Sequence, residues 1–166
     1  EPVWHMDPAS PDYAARLGRL LARLHSIGHD DASAAGVEVR SPEQVRQGWR
    51  DDVARVSEAF AVAPALLAAW EEWLADDDCW PERTVMTHGE IYPAHVLLDG
   101  GGAVAGVLDW TTARVDDPAR DLSAQVGAGG EDALAITLEA YAAAGGHVHA
   151  GLARQARRLW DASPIR

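Results

Sequence analysis

Four residues within one short stretch, His88, Glu90, His95 and Asp109, carry groups able to hold a cation or move a proton. His95 and Asp109 are separated by Asp99-Gly100-Gly101-Gly102, a strong turn signal between the β-prone runs Val96-Leu97-Leu98 and Val104 to Leu108. If the turn centres on Gly101-Gly102, paired residues have numbers summing to about 203 or 204, which places His95 opposite Leu108 or Asp109. Opposed side chains on one face have Cβ atoms ~4.5–5.5 Å apart, so an imidazole and a carboxylate are expected together at the open end of the hairpin. Glu90 precedes His95 by five residues, across a bend imposed by Pro93, and is expected to approach the same space. One imidazole and two carboxylates there would suit a divalent ion and the activation of a hydroxyl. Carboxylate oxygen is a natural ligand for Mg²⁺, and an imidazole can reach the ion through a water. On spacing alone a second reading stands beside this one, in which His95 and Asp109 form a structural hydrogen-bonded pair that closes the hairpin.

The elements around the hairpin read mainly as helices. Ser10-Pro11-Asp12 supplies a cap, a first-turn proline and a dipole-matched acid, and Tyr13, Leu17, Leu20, Leu21 and Leu24 continue as one apolar stripe that Gly28 ends. A polar loop is expected to about Arg40. Ser41-Pro42-Glu43 repeats the start signal before Val45, Trp49, Val53, Val56 and Phe60, and a third helix follows Pro64. Thr84 to Thr87 reads as a short strand. Beyond Asp109-Trp110, helices are expected over about 118–127, 131–144 and 148–161, with Gly145-Gly146 as a stop. The expected class is α+β, mostly helical, with a small hairpin.

Three segments in order also resemble a known family. His88-Gly89-Glu90-Ile91-Tyr92-Pro93-Ala94-His95-Val96-Leu97-Leu98 is similar to the catalytic loop of aminoglycoside and macrolide phosphotransferases. Gly106-Val107-Leu108-Asp109-Trp110 resembles their metal-binding segment, and Asp116-Asp117-Pro118-Ala119-Arg120-Asp121-Leu122 resembles the element that follows. Histidine at position 95, the preceding Tyr-Pro-Ala and the Asp-Trp pair are more similar to macrolide 2′-phosphotransferases.

The resemblance implies the C-terminal lobe of a protein-kinase-like fold, with catalytic loop 88–95 and metal-binding segment 106–110. It implies transfer of a nucleotide γ-phosphate, from GTP or else ATP, to a sugar hydroxyl of a macrolide, which is antibiotic resistance by inactivation. It assigns Glu90 to the catalytic carboxylate, His95 and Asp109 to Mg²⁺ and the nucleotide phosphates, and His88 and Asp121 to structural support. Trp110 reads as a packing residue, and Trp49, Trp70 and Trp73 as either groove-lining or core.

Two departures accompany the resemblance. The family places aspartate where Glu90 stands, and a ~1 Å misplacement of a catalytic group can cost ~100-fold in rate. No glycine-rich phosphate loop precedes residue 88, and the chain contains no lysine at all. The expected organisation is therefore a hinge segment over 1–9, the helical lobe over 10–166 and a nucleotide-binding lobe outside this chain, with the isolated piece inactive. The alternatives are a non-catalytic binding remnant, or a kinase for an aminoglycoside or another small alcohol.

Composition limits the other classes. A formal charge of −12 disfavours phosphate backbones, so no nucleic-acid partner is expected. No apolar run approaches the ~20 residues that cross a bilayer, and a lone Cys79 suits a reducing compartment. A cytoplasmic monomer that meets a small-molecule substrate is the expectation. Asp76-Asp77-Asp78 reads as solvated loop rather than a metal cluster, His147 and His149 as a solvated helix start, His25 and His29 as surface histidines at a helix end, and Cys79 as a buried inert thiol.

Overall fold

Each of the two clearest helix starts forms around its serine. In the computed structural model, which describes residues 7–165, Ser10 Oγ accepts the Tyr13 N–H at 3.3 Å and opens α1 (Pro11–Leu24). Ser41 and Gln44 cap each other reciprocally at the start of α3 (Pro42–Ala59), preceded by α2 (His29–Ala34) and followed by α4 (Pro64–Ala75). The six residues of α2 replace part of the expected polar loop. That helix buries only Ala32, so it carries no apolar period that a sequence could display. Of the expected hinge over 1–9, residues 1–6 lie outside the described residues.

The stripe on α1 packs against α5 (Ala119–Ala143), the longest helix. Their approach is set by Gly18, where an added Cβ would lie 2.3 Å from the Thr137 carbonyl oxygen and 2.8 Å from the Tyr141 nitrogen. Gly130 interrupts α5 with φ 78° and ψ −175°, which reproduces the expected break between two helical stretches. The last helix, α6 (Leu152–Asp161), begins four residues later than the expected start at 148. Its N-terminus is fixed by Gly151, pressed so closely on the Asp78 carbonyl that a Cβ would sit 1.7 Å from it, and the histidine pair is left in the loop before it.

Two separate antiparallel pairs form the β structure. β2 (Val96–Leu98) and β3 (Val104–Val107) make the expected hairpin, paired Val96 to Val107 and Leu97 to Gly106 before a shift at Leu98. Asp99 Oδ1 accepts the Gly101 and Ala103 N–H groups at 2.9 Å each, which shapes the turn. β1 (Val85–Thr87) pairs instead with β4 (Arg114–Asp116), a strand the sequence reading missed. Three residues of β4 supply no alternation of their own, and their partner lies far off along the chain.

Trp49, Trp70 and Trp73 are all buried, and Trp73 meets Trp49 edge-on and stacks on Trp80. The Trp73 indole donates to Gln155 Oε1 at 2.8 Å, Gln155 Nε2 donates to Asp117 Oδ2 at 2.8 Å, and Asp117 Oδ1 accepts the Ala119 N–H at 2.8 Å. This chain ties α4, α6 and the start of α5 together. Asp77 and Asp78 are exposed and pair with Arg46 and Arg154, while Asp76 caps the following 3₁₀ turn and also meets Arg154, so the acidic run is loop as expected.

Two outcomes follow from this packing. Gly18→Ala must push α1 from α5 and should cost about 1–3 kcal/mol in urea unfolding. Burial pushes the Asp117 carboxyl up to about 7, against an ordinary 3.8. The fold therefore retains a proton that the unfolded chain releases, so this group's contribution to stability falls as pH rises from about 4 to 7. Asp117→Asn should flatten that part of the stability profile, measured as Tm against pH beside the parent protein.

Candidate active site

The loop that leaves β1 is held by one buried carboxylate. Asp121, fully buried in the first turn of α5, accepts the His88 N–H on Oδ2 at 2.9 Å and the Gly89 N–H on Oδ1 at 2.6 Å. Its Oδ2 also receives His25 Nε2 at 3.2 Å, and His25 Nδ1 meets the Tyr141 hydroxyl at 2.9 Å. Burial works to raise the Asp121 pKa, but the bond and charge of His25 and the two loop N–H groups outweigh it and hold the carboxyl below its ordinary value. His25 is thus not the surface residue expected at a helix end; it is buried, one turn beyond Leu21 on the same stripe.

His88 is buried and joins the loop to the hairpin. Its Nε2 contacts the Leu108 carbonyl at 2.8 Å, its Nδ1 faces the Glu90 N–H at 3.4 Å, and its own carbonyl accepts Thr112 Oγ1 at 2.9 Å. The half-exposed Trp110 sets its ring edge-on to His88 with centroids 4.9 Å apart and donates from Nε1 to the Val107 carbonyl at 2.9 Å.

His95 lies directly across the hairpin from Leu108, whose N–H donates to the His95 carbonyl at 2.8 Å. That places Asp109 at the mouth, and its φ of 61° turns the chain there. The hydroxyl and then the N–H of Thr111 bond Asp109 Oδ1 and hold its carboxyl below the ordinary value, with smaller help from His95 and His88. His95 Nδ1 is bound to the Glu90 carbonyl at 2.8 Å and therefore carries the proton in the neutral ring. Nε2 faces Asp109 Oδ2 across 3.9 Å, beyond hydrogen-bond reach. A closing hydrogen bond does not form; an imidazole nitrogen and a carboxylate oxygen face one gap. An imidazole and an ionised carboxylate in that arrangement fit a hard divalent ion whose remaining ligands are water and phosphate.

The expected third member is elsewhere. Among the described residues no group of three or more His, Cys, Asp or Glu side chains is arranged to hold a metal. Glu90 gives its backbone carbonyl to His95, while its exposed side chain lines a cavity of about 490 Å³ bordered by Trp49, Thr112, Arg120 and Leu159. Neither His95 nor Asp109 lines that cavity. Gly89 is required there by its φ of 88° and by Arg120 Nη2, which would lie 2.7 Å from any Cβ.

The remaining candidates stay apart from this site. His147 Nε2 lies 3.8 Å from Glu82 Oε2, and burial lowers the His149 pKa. Cys79 is buried, which raises its pKa, although Arg154 Nε lies 3.3 Å from its sulfur. Sequence reading missed His25, Tyr141, Thr112 and Arg120. The buried stripe of α1 carried a signal for His25, whereas the other three are brought in only by tertiary contact.

Comparison with known proteins agrees with this geometry. The profile of the phosphotransferase enzyme family matches residues 1–160. An uncharacterised Bacillus subtilis protein, YcbJ, is 37% identical over 98% of this chain and 54% of its own length. The crystal structure of the macrolide 2′-phosphotransferase MphH from Brachybacterium faecium superposes with a TM-score of 0.91 at 49% identity, covering 98% of this chain and 54% of that one. A macrolide 2′-phosphotransferase of type I superposes at 0.92 with 40% identity and the same coverages. The chain spans about half the length of these relatives. The fold is that of the C-terminal lobe of kinase-like phosphotransferases, and the chain belongs to the phosphotransferase enzyme family.

Proposed function

We propose that the protein containing this chain transfers the γ-phosphoryl group of a nucleoside triphosphate, GTP in preference to ATP, to a sugar hydroxyl of a macrolide, and thereby inactivates it. The observation that carries this reading is the division of labour on one loop: Glu90 faces the cavity on one side, and the His95–Asp109 pair faces the hairpin mouth on the other. Similarity to two macrolide 2′-phosphotransferases supports the acceptor class.

In this reading the Glu90 carboxylate orients the acceptor hydroxyl and takes its proton as the oxygen bonds to the γ-phosphorus and the bond to the nucleoside diphosphate oxygen breaks. His95 and Asp109 would hold Mg²⁺, whose chemistry when bound is to neutralise phosphate charge. His88 and Asp121 keep the loop backbone in place. Nucleotide binding also draws on residues outside this chain, as the covered half of its relatives suggests. The formal charge of −12 argues against a nucleic-acid partner, and among the described residues no helix is long and apolar enough to cross a membrane. A second reading, a binding remnant without chemistry, draws on Glu90 standing where the resemblance expects aspartate.

A transfer assay with γ-labelled GTP and ATP, using the whole protein against macrolides and aminoglycosides, distinguishes these readings. Label on a macrolide sugar is expected; label on aminoglycosides alone overturns the acceptor class, and no label favours the remnant. Removing the base with Glu90→Gln should lower turnover by about 10²–10⁴-fold. Glu90→Asp should raise turnover above the parent, read as kcat with the same donor. The 166 residues alone should transfer no phosphate.

A further inference from the structure

We propose that Thr111 is a positioning residue for the cation site, holding one carboxylate oxygen of Asp109 so that the other is presented to the ion. The inference rests on the gap between His95 and Asp109 being the place of Mg²⁺. Asp109 stands at the hairpin mouth with 47% of its side chain open to water, so its orientation depends more on its bonds than on packing. Those bonds go to one oxygen and come from one residue. Oδ1 accepts the Thr111 hydroxyl at 2.6 Å and, less closely, the Thr111 N–H at 3.4 Å. The shorter contact has the length of a hydroxyl bonded to a charged oxygen. Oδ2 accepts no hydrogen bond among the described residues, and it is this oxygen that faces His95 Nε2 at 3.9 Å.

Thr111 is placed for this by the residues on either side of it. Trp110 donates its indole N–H to the Val107 carbonyl at 2.9 Å and meets the His88 ring edge-on. Thr112 donates its hydroxyl to the His88 carbonyl at 2.9 Å, and the Ala113 N–H reaches the Trp110 carbonyl at 3.1 Å, closing a turn that contains Thr111. Asp109 itself sits in the left-handed region with φ 61°, which costs energy in a residue other than glycine and which a short-range side-chain bond offsets. One hydroxyl therefore supports the backbone turn and aims the carboxylate.

The consequence concerns how an ion is held. Mg²⁺ demands near-octahedral ligands and keeps several waters, so a single carboxylate oxygen leaves room for those waters and for phosphate. Released from Thr111, the carboxylate can rotate about a soft torsion and loses its fixed aim. Removing such a partner from a ligating group costs about 10–100-fold in metal affinity, and the exposure of Asp109 points to the lower end of that range.

The test counts bound metal rather than product. Mn²⁺ is titrated into the whole protein, alone and with one equivalent of GDP, and the free ion is read from its EPR signal. Thr111→Val, which keeps the shape of the side chain and removes the hydroxyl, should weaken Mn²⁺ binding about tenfold. Thr111→Ser, which keeps the hydroxyl, should bind as the parent does. Parent affinity in a folded Thr111→Val, or a loss in Thr111→Ser equal to that in Thr111→Val, overturns the inference. If Thr111→Val does not fold, Thr111→Ala takes its place, and parent affinity there is equally fatal. Asp109→Asn separates this inference from the reading beneath it. A parent that binds no Mn²⁺, or binds it just as well after Asp109→Asn, sinks the cation site itself; binding that falls in Asp109→Asn but not in Thr111→Val sinks only the role of Thr111.

Discussion

A carboxylate with no exposed surface accepts two consecutive backbone N–H groups, and the rest of the site depends on that contact. Asp121 can remain ionised in the interior because its oxygens are taken up by the His88 and Gly89 amides and by His25. A buried charge without such partners would cost several kcal/mol, so the loop and the carboxylate stabilise each other. The two helices that supply His25 and Asp121 can bring them into contact because Gly18 lets α1 and α5 approach at backbone distance. The loop conformation is therefore set by packing some distance behind it.

With its start pinned, the loop can do two things at once. Gly89 turns the chain under Arg120, which sends Glu90 toward the cavity, and Pro93 returns it to the hairpin, where His95 faces Asp109. Backbone groups do much of this positioning: the Glu90 carbonyl fixes the His95 ring, and the Leu108 carbonyl meets His88. The carboxylate of Glu90 and the His95–Asp109 pair are thus carried by one short stretch, and the proposed phosphoryl transfer, in which positioning and charge stabilisation do most of the work, rests on that placement.

Charge is arranged locally against the overall balance. The chain is strongly acidic, yet arginines gather around Asp116 at the foot of α5, next to the loop. The aspartates after α4 are paired with Arg46 and Arg154 and take no part in the site. Net charge alone describes neither place.

Much of this could be read along the chain. Helix starts at Ser10 and Ser41, the hairpin turn at Asp99 to Gly102, its register, and the meeting of His95 with Asp109 all follow from local periodicity and turn chemistry, which act over a few residues. The resemblance of three ordered segments also located the family. The short helix α2 buries too little to show an apolar period, and the strand β4, the late start of α6 and the burial of His25 could not be so read, since each of these three is decided by a partner remote in sequence. Glu90 marks the boundary between the two kinds of information. Its residue type announced a proton acceptor, but its place in a cavity with Thr112 and Arg120, whose lining includes neither His95 nor Asp109, came only with the tertiary structure. Spacing limits how near two side chains can come; which way each one points depends on the atoms that occupy the space around it.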